Sequence, residues 1–199
     1  MPYLNDGRRE YRGFASFGPL DGSAGYIVEG YALVYDEAYP FGPDGAMERI
    51  ARGALAGADM SDVIFQLNHE GQTLARLRNG TLGLDSDDHG LRVRADLGGS
   101  AKGRELYESI KNGLIDQMSW GFTLEEGGWE WDAATRTSTV TRVAKVYDVS
   151  AVSLPANPAT ELHARSYIDG VIEAERRESA QRDRERRGRM AAALEMTEI

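Results

Sequence analysis

The stretch GLIDQMSWGFTLEE, residues 113–126, constrains the chain more than any other. Met118, Trp120, Phe122 and Leu124 recur at every second position, the period of a strand with one buried face. Ser119 falls on the opposite face beside Gly121, which has no side chain to crowd it. A small hydroxyl on the roomy face of a well-anchored strand suits a nucleophile. The ordinary alternative is a serine that is solvated or bonded locally.

Similar runs follow one another, separated by turn residues. YIVEGYALVYDEAYPF (26–41) is rich in aromatic and β-branched residues and reads as a strand ended by Pro40 and Gly42-Pro43. Asp62 to Asn68 returns to strand, with Val63, Phe65 and Leu67 on one face and His69 as the next member of that face. Residues 73–98 read as a three-stranded meander, with a hairpin at Asn79-Gly80 and a second turn at Asp88-His89-Gly90. Residues 127–154 give two or three more strands. In the last of them Val146, Asp148, Ser150, Val152 and Leu154 share a face, so Asp148 is an acid in mostly apolar company and needs a partner.

Helices are few. MERIARGALAGA (47–58) fits a short one on Met47, Ile50 and Leu55. SAKGRELYESIKNG (100–113) fits another, capped by Ser100, with Leu106 and Ile110 four apart and Gly113 closing it. From Glu161 to about Arg189 an arginine- and glutamate-rich pattern predicts a long helix, apolar only near its start. Its second half reads as a solvated helix, a partner-binding segment or disorder. Residues 1–25 are polar and Gly-rich, which predicts a flexible N-terminal arm. The expected organisation is that arm, a folded unit over 26–160, and a charged tail over 161–199.

Composition narrows the chemistry. The formal net charge of −9 argues against a general nucleic-acid binder. No apolar run is long enough to span a bilayer, and the first residues lack the apolar core of a signal peptide. With no cysteine in the chain, thiolate catalysis, disulfides and cysteine zinc sites drop out together. Serine is then the natural nucleophile, and His69, Ser119 and Asp148 are the candidates, each on a different predicted strand. An imidazole can take a proton from a hydroxyl, and a carboxylate can orient the imidazole. A rival reading is a metal-dependent hydrolase using His69, Glu70, Asp87 and His89. The DSDDHG run (85–90), however, lacks the spacing of a calcium loop, and turn chemistry accounts for it. A second rival is a non-enzymatic assembly protein whose working part is the charged tail.

Several blocks in order carry a resemblance to a known family: ERIARGAL (48–55), VIFQLNHE (63–70), LARLRNGTLGLDSDDHGLRVRADL (74–97), GLIDQMSWGF (113–122) and YDVSAVSLPANPAT (147–160). The chain resembles the prohead proteases of tailed bacteriophages, of the HK97 type. The resemblance implies a serine endopeptidase that cleaves the scaffold and the major capsid protein inside the assembling procapsid, in the cytoplasm of the bacterial host. It implies no cofactor. It also implies a fold like that of the herpesvirus assembly proteases: α+β, mostly β, a closed or nearly closed β-barrel flanked by helices. Carried over by position, Ser119 is the nucleophile, His69 the general base and Asp148 the third member, where the family more often has glutamate. The oxyanion donors are assigned to backbone N–H groups near Ala156 and Asn157, from their nearness in sequence to Asp148.

Overall fold

Period-two patterning produces strands through about half of the residues that the computed structural model describes, which are 9–20, 25–41 and 46–153, with positions 177, 180–182 and 184. In chain order the strands are β1 (Glu10–Pro19), β2 (Ile27–Val34), β3 (Tyr39–Pro40), β4 (Met47–Ile50), β5 (Ile64–Leu67), β6 (Glu70–Arg76), β7 (Leu82–Ser86) and β8 (Gly90–Asp96). The helix α1 (Ala101–Lys111) follows, then β9 (Gln117–Leu124), β10 (Trp129–Asp132), β11 (Thr137–Val140) and β12 (Val143–Val152).

Eight strands form one sheet in the order β6-β5-β12-β9-β1-β2-β8-β7, and four form a second in the order β10-β11-β4-β3. β1 is the seam of the larger sheet: Glu10–Gly13 and Ser16 pair with β9, and Phe17–Pro19 pair with β2. The edge strands β6 and β7 are consecutive in the chain. Laid flat, seven strand spacings of about 4.8 Å would hold them roughly 34 Å apart. The six residues from Arg76 to Leu82 reach at most about 20 Å. The sheet must therefore curl. No ladder joins β6 to β7, so the closed barrel does not form: the described sheets are open, and the fold is mostly β with few helices.

The core lies against one face of the larger sheet. It takes Trp120 and Phe122 from β9, stacked at 3.9 Å between ring centroids, with Val28, Leu33, Phe65, Leu91, Val93 and Val149 from the surrounding strands. α1 adds Leu106 and Ile110. Ser100 caps this helix as its side chain suggests, its hydroxyl accepting from the Gly103 N–H at 3.0 Å, and Gly113 at φ +68° lets the chain leave.

Three local expectations change. Residues 10–19, expected within a flexible arm, form the sheet's seam. Its register slips between Gly13 and Ser16, so no clean alternation shows in the sequence. The helix expected over 47–58 is instead β4 followed by tight turns closed by i to i+3 bonds, as from Ala54 N–H to the Ala51 carbonyl. Gly53 sits at φ +87°, which a helix does not allow, and Glu48 points inward at every-second-residue spacing with Ile50. The Asn79-Gly80 hairpin is a 3₁₀ turn (Leu77–Asn79), with Gly80 at φ +76° and Asn79 Oδ1 accepting from Thr81. β6 turns away to pair with β5, leaving β7 and β8 as the hairpin.

The inward Glu48 meets Arg12, which is 4% exposed. The Arg12 guanidinium donates to both Glu48 carboxylate oxygens, to Glu10 at 2.6 Å and to the Tyr11 carbonyl at 3.0 Å, and it stacks 4.1 Å over the Phe41 ring. Tyr39 donates its hydroxyl to Glu48 as well. Burial alone would lower the Arg12 pKa, but Glu48 and Glu10 outweigh it and hold the group well above its usual value. The cluster ties β1 to the smaller sheet. The tail expected as a long helix is helical at the five described positions after 176, and the rest of it lies outside the described residues. No helix among the described residues is long and apolar enough to cross a membrane.

Candidate active site

The site grows from the face of β9 opposite Trp120 and Phe122. Antiparallel register places Gly13 of β1 and Ser150 of β12 across from Ser119, and Tyr11 and Asp148 across from Gly121. Asp148 reaches this face because β12 is irregular just before it: Val146 faces Phe122 and Asp148 faces Gly121, leaving Tyr147 as the extra residue. Val146 therefore belongs to the core side, not to the face it was expected to share with Asp148 and Ser150.

His69 arrives by a similar departure from simple alternation. Phe65 and Leu67 of β5 lie beside Val149 and Ala151 on the core face, and strict alternation would send His69 there too. Asn68 at φ 53° and His69 at φ 60° are both left-handed, and the pair turns the ring over to the Ser119 face. Asparagine tolerates that conformation better than most residues. Its side chain also fixes the turn, with Oδ1 accepting from the Ser153 N–H at 3.0 Å while its own N–H donates to the Ala151 carbonyl at 2.8 Å.

The outcome is one hydrogen-bonded series. His69 Nε2 lies 2.7 Å from Ser119 Oγ, and His69 Nδ1 lies 2.5 Å from Asp148 Oδ1. An ionised carboxylate only accepts, so Nδ1 carries the proton and Nε2 is free to accept from the serine hydroxyl. Ser119 is 3% exposed and Asp148 2%, whereas His69 is more open at 14%. The Tyr11 ring covers the imidazole at 4.3 Å between centroids. Gly121 makes the close approach possible: a Cβ there would overlap the Asp148 carboxylate and come within 2.8 Å of Tyr11. Ser150 Oγ lies 3.0 Å from Asp148 Oδ1.

All three residues singled out in the sequence thus meet. Tyr11, Asn68 and the contact from Ser150 were not foreseen. Asn68 carried a signal, an asparagine directly before the histidine at a strand end; Tyr11 carried none, because its strand was not recognised. Ala156 and Asn157 lie outside the described residues.

The metal reading gains no support. His89 belongs to the β7–β8 turn, edge-on to Tyr31 at 4.6 Å between centroids and remote in sequence from Ser119 and Asp148. Asp87 is engaged by the Tyr31 hydroxyl at 2.7 Å and by the His89 and Gly90 N–H groups, which hold its carboxyl below the usual range. Among the described residues no three His, Asp or Glu side chains stand close enough to hold a metal.

A hydroxyl, an imidazole and a carboxylate in series on a β scaffold have the arrangement of a serine hydrolase site. Residues 19–171 match the family described as caudovirus prohead serine protease, and the chain belongs to that family of serine peptidases. No curated protein and no solved structure matches the chain.

Proposed function

We propose that this protein is an endopeptidase that cleaves scaffold and capsid proteins, and its own chain, during prohead maturation inside the assembling shell. The observation that carries the reading is the short contact between His69 Nε2 and Ser119 Oγ, with the other ring nitrogen engaged by Asp148. Ser119 Oγ attacks the peptide carbonyl while His69 takes its proton. As the C–N bond breaks, the imidazolium returns that proton to the leaving amine, and Asp148 stabilises the charge that forms between the two steps. Water then attacks the acyl-enzyme by the same route, and Ser119 is regenerated. N–H groups near Ala156 and Asn157 are assigned to the developing oxyanion, which needs preorganised donors. The charged tail, rich in arginine, is a self-cleavage site and a means of holding the enzyme in the shell.

The test is assembly with a Ser119→Ala variant in place of the native enzyme. Immature shells with full-length capsid protein, uncleaved scaffold and an untrimmed protease chain are expected. Normal processing by that variant would overturn the reading.

A further inference from the structure

We infer that Ser150 is a positioning residue for this site, holding the Asp148 carboxylate in line with His69. The inference rests on the reading of Ser119 and His69 as the reacting pair. Ser150 is fully buried and sits in the ladder directly across from Ser119, with Gln66 of β5 on its other side. Its backbone is therefore fixed on both flanks. Asp148 lies two residues earlier on the same face, so a serine hydroxyl at this position meets the carboxylate. Because the carboxylate accepts, Ser150 is the donor, and Oδ1 receives two hydrogen bonds, from Ser150 and from His69 Nδ1.

These two donors differ in what turnover does to them. The imidazole gains and loses a proton and is the group that must be steered. The Ser150 hydroxyl is chemically unchanged throughout. Asp148 needs such an anchor because it is short, and its second oxygen lies against Gly121, which has no side chain to hold it. Without Ser150, Oδ1 would be held by the very ring it is meant to orient. Among the described residues, the groups that face His69 are Asp148 from β12, Ser119 from β9 and Tyr11 from β1, with exposed Glu70 next in the chain.

The experiment uses the full chain and a fluorophosphonate probe, with the labelling rate measured against pH and thermal unfolding measured on the same samples. Ser150→Ala should slow labelling about ten- to a hundredfold, the rate equivalent of one charge-assisted hydrogen bond. The acid limb of the profile should also move to higher pH, since a carboxylate with one donor fewer holds the imidazolium more tightly. Ser150→Thr, which keeps the hydroxyl, should restore both. Ser150→Cys keeps the volume but weakens the donor, and should give the same direction of change if alanine does not fold. In an Asp148→Asn background, Ser150→Ala should add little further loss. An unmoved limb, or losses that simply add to those of Asp148→Asn, would make Ser150 a structural residue and overturn the inference alone. Labelling that persists in Ser119→Ala would instead overturn the reading beneath it.

Discussion

Buried polar clusters lie on both sides of β9, one against each face of the strand, and the two behave differently. On the core face Arg12, Glu48 and Glu10 are permanent charges matched to one another, with every arm of the guanidinium occupied. On the other face Asp148 is matched to an imidazole, which is not always charged. Burial makes both clusters costly to break. An imidazole can take up and release a proton, which a guanidinium does not, so the second cluster has the parts to move a proton for Ser119. The first is a fastener, and the second has the arrangement of a relay.

The contrast is broken most directly by removing one member of each. Ser119→Ala or His69→Ala should cut proteolysis about 10⁴- to 10⁶-fold, with the double variant no worse than either, because the members act as a unit. The Ser119→Ala variant, which leaves the His69–Asp148 pair whole, should keep its thermal midpoint close to wild type. Arg12→Ala should do the reverse, costing about 3–5 kcal/mol in denaturant unfolding by stranding Glu48, with near-normal turnover per folded molecule. A Ser119→Ala variant that cleaves normally, or an Arg12→Ala variant as stable as wild type, would collapse the distinction.

Gly121→Ala sharpens it at the site itself. The added methyl must displace the Asp148 carboxylate or Tyr11, so the rate should fall about 100- to 10,000-fold, approaching loss of the orienting acid. Unfolding should be affected much less. Full activity in that variant would show that Asp148 need not sit where it does.

How far the sequence revealed this follows from where alternation holds. β9 and α1 were legible because their apolar periods run unbroken: Met118, Trp120 and Phe122 are fully buried, and Leu106 and Ile110 nearly so. Ser119, His69 and Asp148 stood out as isolated reactive groups among apolar neighbours. What alternation could not give is the way they meet. His69 and Asp148 reach the face through a left-handed pair and a strand irregularity, each shifting the period by one. The fastener was hidden for the same reason: β1 slips register after Gly13, and MERI reads equally as helix or strand until Arg12 is known to face Glu48.

Smaller effects probe those irregularities. Asn68→Ala puts an alanine at φ 53° and removes the bond to Ser153, so the rate should fall roughly tenfold as the His69 turn loosens. Asn68→Asp keeps the acceptor and should retain most activity; equal loss in both variants would deny the turn that role. Smallest of all, Tyr31→Phe removes the hydrogen bond that, first among several, depresses the Asp87 carboxyl. A depressed carboxyl contributes stability above its ordinary value of 3.8 and loses it as pH falls through the folded-state value. The variant should therefore melt slightly lower at neutral pH, converge with wild type in strong acid, and leave proteolysis unchanged. A difference that persists in acid would place the effect elsewhere.

The most direct test of the relay is to find where a serine-directed reagent binds. Full-length protein treated with a fluorophosphonate should carry one adduct, mapped by peptide mass spectrometry to Ser119, and His69→Ala should all but abolish it. An adduct on another serine, or labelling of Ser119 that proceeds unchanged without His69, would contradict the account.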